Sequence, residues 1–127
     1  GHSFTANPIA CAVACANLDL FEETETQESM EALVNWGTEF AEELTSIDSV
    51  KEVRQTGTIV AFDIDTGEGA TYFSDIRERA YAHFLENGVL LRPLGNTLFV
   101  NPPYCITKSE YSKITNSIIS FLGSITS

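Results

Sequence analysis

From position 9 to position 21 the chain reads Ile-Ala-Cys-Ala-Val-Ala-Cys-Ala-Asn-Leu-Asp-Leu-Phe, a helical stretch with small or apolar side chains on nearly every side. Asn7-Pro8 opens it. Asn accepts from the first unpaired N–H groups of a helix, and Pro at the first helical position lacks only an N–H that has no intrahelical partner anyway. A helix without a polar face needs cover all round, and small side chains let other backbones come close. A 127-residue chain rarely surrounds its own terminal helix, so residues 1–21 are expected to pack on a larger body and residues 22–127 to form the domain proper. There is no initiator Met, basic leader region or cleavage motif before that helix, so Gly1 is expected to lie inside a longer protein.

An acidic break, Glu22-Glu23-Thr24-Glu25-Thr26, leads to a second helix whose apolar positions Met30, Leu33, Val34, Phe40, Ala41, Leu44 and Ile47 recur at three- and four-residue steps. Its outer face carries Glu28, Glu31, Glu39, Glu42 and Glu43. Over residues 50–65 the period changes to two, with Val60, Phe62 and Ile64 alternating against Ile59, Ala61 and Asp63 as in a half-buried strand. Gly67-Glu68-Gly69 reads as a loop. Phe73, Ile76, Ala80 and Phe84 then form the stripe of a third helix, closed by Asn87-Gly88. Residues 89–92 and 97–100 flank Pro93-Leu94-Gly95-Asn96 and predict a hairpin. After Pro102-Pro103, Thr107 caps a last helix with Tyr111, Ile114, Ile118, Phe121 and Leu122 inward. The predicted order is ααββαββα. It defines an α+β fold: a small antiparallel sheet with helices packed on one side, preceded by a long apolar helix.

The formal charge of −11 and pI near 4.4 disfavour nucleic acid and anionic membrane surfaces as partners. No apolar run approaches the roughly 20 residues that span a bilayer. Cys11, Cys15 and Cys105 are an odd set without a disulfide-framework spacing, which points to the reducing cytoplasm.

Arg92 stands out among the charged residues. It follows Val89-Leu90-Leu91 and precedes Pro93 in a segment otherwise bare of charge, in a chain with only seven cationic residues. Such an Arg either carries its head to water at a sheet edge or meets an anion, and its planar fork suits a carboxylate. Ser3 and Thr5, just ahead of the Asn7-Pro8 cap, place hydroxyls beside a helix N-terminus, where they serve either capping or a phosphate. Asp63-x-Asp65-x-Gly67-Glu68 opens like a calcium loop, but its Gly comes one position early and Phe73 stands where the bidentate Glu belongs, so no metal site is expected. Cys11 and Cys15 share a helix face with no third ligand and read as buried small hydrophobes. Neither His2 nor His83 has a nucleophile at catalytic spacing.

Taken together, Gly-His-Ser-Phe-Thr-Ala-Asn-Pro-Ile-Ala-Cys-Ala at positions 1–12 resembles the segment after the cofactor lysine in class III, fold type I, pyridoxal-phosphate aminotransferases. Leu91-Arg92-Pro93-Leu94-Gly95-Asn96 with Asn101-Pro102-Pro103-Tyr104 is similar, more narrowly, to the biotin-biosynthesis branch of that family. The resemblance runs through essentially the whole chain. It implies the C-terminal small domain of a homodimeric enzyme that acts on small molecules, uses pyridoxal phosphate and has no nucleic-acid or membrane partner. It implies that Arg92 binds the substrate carboxylate, and that Ser3, with His2 beside it, reaches the cofactor phosphate of the neighbouring subunit. Many relatives carry Pro-Thr where this chain has His2-Ser3, and Gly where it has Ala6. The Schiff-base lysine and the Asp partner of the pyridine nitrogen would both precede Gly1, so the 127 residues alone are expected to be inactive. Two alternatives remain open at this level: a class III enzyme for ornithine, 4-aminobutyrate or another amine, and a stand-alone α+β ligand-binding module.

Overall fold

The structure is a computed structural model that describes residues 5–65 and 70–125, with residues 70–75 as backbone only. The elements run α1 (Pro8–Glu22), α2 (Thr24–Thr45), β1 (Val50–Thr56), β2 (Ile59–Ile64), α3 (Ala70–Glu86), β3 (Thr97–Val100) and α4 (Lys108–Ile125).

α1 starts as expected, with Asn7 Oδ1 accepting from the N–H groups of Ile9 (3.0 Å) and Ala10 (3.2 Å). The acidic break is far shorter than expected. Glu23 alone leaves helical geometry, with ψ 135°, and Thr24, Glu25 and Thr26 already belong to α2. The reason is electrostatic and local: Glu25 sits in the first turn, where the helix dipole favours a negative charge, and Gln27 Nε2 donates back to the Phe21 carbonyl at 3.2 Å.

The sheet is antiparallel, in the order β1-β2-β3. Val60, Phe62, Ile64, Leu98 and Val100 are at most 2% exposed, whereas Ile59 on the opposite face is 39% exposed. One face is therefore the core, and α2, α3 and α4 supply its other half through Leu33, Phe40 and Leu44, Ile76, Ala80 and Phe84, and Tyr111, Ile118, Phe121 and Leu122. α2 comes unusually close to the hairpin at Gly37, where a Cβ would lie 2.9 Å from Gln55 Nε2 and 3.1 Å from Val60 Cγ2. Gln55 fastens the contact: its Nε2 donates to the Val34 and Gly57 carbonyls (2.9 and 3.1 Å), and its Oε1 accepts from Thr38 Oγ1 (3.1 Å).

The second predicted hairpin is not formed. Residues 89–93 pair with no strand, leaving three strands among the described residues rather than four. Only the reverse turn survives, with Leu94 and Thr97 exchanging backbone bonds of 2.9 and 3.0 Å around Gly95 at φ +63°. Pro93 has no N–H to offer a ladder, and the chain upstream bonds to α3 instead, Val89 N–H donating to the Phe84 carbonyl at 2.8 Å.

α4 begins with a capping box. Thr107 Oγ1 and the Glu110 backbone N–H are 3.3 Å apart, and Glu110 Oε2 accepts from the Thr107 N–H (2.9 Å) and hydroxyl (2.8 Å). These bonds hold the Glu110 carboxyl below its ordinary pKa.

Candidate functional site

Arg92 is placed by the two residues that anchor its segment. Gly88, at φ +67°, reverses the chain after α3, and Val89 (7% exposed) and Pro93 are buried on either side of it. Between those anchors Leu90 is 81% exposed and Arg92 also faces out. Arg92 lies in a groove of about 330 Å³ with Arg77, Glu78, Tyr81 and Pro93. Among the described residues neither Arg92 nor Arg77 makes an ion pair, whereas Lys51, Arg54 and Lys108 each do, to Asp65, Asp63 and Glu39. A guanidinium presented without an internal carboxylate is ready to take one from a ligand.

Arg77, Glu78 and Tyr81 are not singled out by the sequence reading. The sequence offers only part of the signal: Arg77 and Tyr81 are four residues apart on a helix face and Asn87-Gly88 marks a turn, but the return of the following segment along that helix is set by packing. Ser3 and His2 lie outside the described residues. So does Glu68 of the calcium-like run, and Phe73 has no described side chain. Asp63 of that run is engaged in the sheet, where its Oδ1 accepts from Arg54 Nη2 (3.1 Å) and Thr97 Oγ1 (2.8 Å). No group of three His, Cys, Asp or Glu side chains that could hold a metal occurs among the described residues.

Cys11 and Cys15 are exposed rather than buried, because α1 carries no buried residue; Cys105 is exposed as well. Tyr104, the third residue of Pro-Pro-Tyr, does not line the Arg92 groove. It packs edge-on to Phe21 with ring centroids 5.8 Å apart, in a separate groove between the end of α1, the start of α2 and residues 104–106. His83 is structural: its Nε2 lies 3.0 Å from the Ser117 carbonyl, and its ring packs on Phe84 and Phe121. All three lysines are exposed. Lys51 pairs with Asp65, Lys108 bonds Glu39 and sits 4.9 Å from the Trp36 ring centre, and Lys113 is exposed. Among the described residues no helix is long and apolar enough to cross a membrane.

The sequence profile of the family described as aminotransferase class-III matches residues 1–122, and the chain belongs to that family. Among curated relatives, the adenosylmethionine-8-amino-7-oxononanoate aminotransferase of Synechococcus elongatus is 38% identical over 125 residues, covering 98% of this chain and 29% of the relative. The enzyme of the same name from Helicobacter pylori is 33% identical, covering 98% and 28%. The crystal structure of the Methanocaldococcus jannaschii enzyme of that name superposes with a TM-score of 0.82 at 26% identity, over 98% of this chain and 29% of that one. The small α+β fold is thus that of fold type I transaminases, and the chain spans under a third of the length of the relatives it matches.

Proposed function

We propose that this chain is the C-terminal small domain of a cytoplasmic, homodimeric aminotransferase that transfers an amino group to 8-amino-7-oxononanoate in biotin biosynthesis. Residues 22–127 form the domain, and residues 1–21 pack on the body of the enzyme. The observation that carries this reading is Arg92: an exposed guanidinium with no internal ion pair among the described residues, in a chain similar to enzymes named for a carboxylate substrate. The amino donor, adenosylmethionine or lysine, is open from the sequence, and the adenosylmethionine in the name of those relatives supports the former.

Pyridoxal phosphate, when bound, supplies the electron sink for amino transfer. The described residues do not fit its covalent attachment. A Schiff-base amine is activated by desolvation or by a neighbouring cation, and Lys51 and Lys108 are instead paired with carboxylates while Lys113 is solvated. The share of the chemistry proposed for this domain is therefore recognition. Arg92 holds the carboxylate of the keto acid in two parallel N–H···O contacts and so fixes the distance from that end of the substrate to its reacting carbonyl.

The test is Arg92→Ala in the full-length enzyme. Loss of a bidentate charged contact costs about 2–5 kcal/mol, or roughly a 30- to 4,000-fold fall in kcat/KM for the keto acid, carried mainly by KM. The half-reaction with the amino donor should change little, and Arg92→Lys should restore only part of the loss. Unchanged keto-acid kinetics with a lowered melting temperature would make Arg92 a structural residue and end the reading.

A further inference from the structure

A second arginine, Arg77, lines the groove at Arg92, and the geometry of the chain explains why. Val89 N–H is bonded to the Phe84 carbonyl at 2.8 Å, so the segment after Gly88 starts beside the last turns of α3 and runs back along it. From Val89 to Arg92 an extended backbone advances about 10 Å. From Phe84 back to Arg77 the helix covers about 10 Å as well. Arg92 is thereby delivered next to Arg77, with Tyr81, one helical turn further on, between them and the anchor; all three line the same groove.

Two guanidiniums in one groove repel each other, and neither has a carboxylate partner among the described residues, although the chain carries 18 acidic residues to seven basic ones. An anion between them turns that repulsion into two charge-assisted contacts. Glu78, in the same groove, leaves it a single net positive charge, which suits one carboxylate and disfavours a dianion. The Tyr81 ring and Pro93 offer apolar wall to the methylenes next to that carboxylate.

We propose that Arg77 is a specificity-determining residue of the substrate site, acting with Arg92 as a two-cation clamp that selects a monocarboxylate at the end of an apolar chain. This rests on the reading of Arg92 given under the proposed function and adds the residue that sharpens it.

The experiment uses the full-length enzyme and two substrates, the amino-keto acid and its methyl ester, with octanoate as a non-reacting probe followed by titration calorimetry. Arg77→Gln should lower the preference for acid over ester, as a ratio of kcat/KM values, about tenfold, mostly through KM, and weaken octanoate binding by about the same factor. Arg77→Lys should recover part of both. Because the ratio is taken on one protein sample, loss of folded enzyme cancels from it. An unchanged ratio and unchanged octanoate affinity in Arg77→Gln, alongside clear losses in Arg92→Ala, would overturn the second cation while leaving Arg92 in place. No effect of either substitution would overturn both.

Discussion

α1 and α4 are helices of similar length, 15 and 18 residues, with opposite fates. α1 is the more apolar, yet not one of its residues is buried; Ile9 is 76% and Leu18 65% exposed. α4 carries Ser, Thr, Asn, Lys and Glu, yet buries Tyr111, Ile118, Phe121 and Leu122 almost completely. What separates them is arrangement rather than apolarity. A stripe at three- and four-residue steps matches one face of a sheet and is satisfied within the chain, while a helix apolar all round has no single face to offer and is left open where the chain has only one core.

The strongest attempt to break this comparison is a pair of truncations in the 127-residue chain. Phe121→Ala removes a ring that packs 5.6 Å from Phe84 and should cost about 3–5 kcal/mol in denaturant unfolding. Leu18→Ala should stay within about 0.5 kcal/mol, as at other exposed positions. Equal costs would show that α1 is covered in solution. In the full-length enzyme Leu18→Ala should become destabilising, since there α1 is proposed to be enclosed.

A smaller effect sharpens the contrast at the helix starts. Thr107→Ala dismantles the capping box of α4 and should cost about 1 kcal/mol. It also removes the hydroxyl bond to Glu110 while leaving the larger cause of its depressed pKa, the backbone N–H of residue 107, so the carboxyl should rise only part of the way back to its ordinary value in an NMR titration. The sign follows from that depression: the contribution of Glu110 is present above its unfolded pKa and is lost as pH falls through the lower folded value. The pH dependence of stability in that acid range should therefore flatten in the variant.

The smallest effect concerns the buried face of α4 itself. Tyr111 is 2% exposed, and its hydroxyl has no hydrogen-bond partner among the described residues; burial first, then the Glu39 charge, raises its pKa. Tyr111→Phe removes an unsatisfied polar atom while keeping the ring against Trp36, so stability should hold or rise by up to about 1 kcal/mol. A loss of more than that would reveal a partner for the hydroxyl.

Much of this was legible in the residues before any coordinates. The Asn7 cap, the stripes of α2 and α4, the alternation of β2 and the turn at Gly88 each depend on neighbours a few positions away, and such local rules are written directly into a sequence. The uncovered state of α1 could also be inferred, because no arrangement of one small core encloses a helix on every side. Three things required the tertiary structure. Residues 89–92 have strand composition, but a strand exists only where a partner is free to pair, and here Val89 bonds to α3 while Pro93 interrupts the ladder. Tyr104 stands beside the substrate motif in sequence, yet packs on Phe21 in another groove. Arg77 and Arg92 lie fifteen positions apart with nothing in their spacing to link them. They share a groove because the backbone reverses at Gly88 and retraces α3, a long-range consequence of packing that no local pattern encodes.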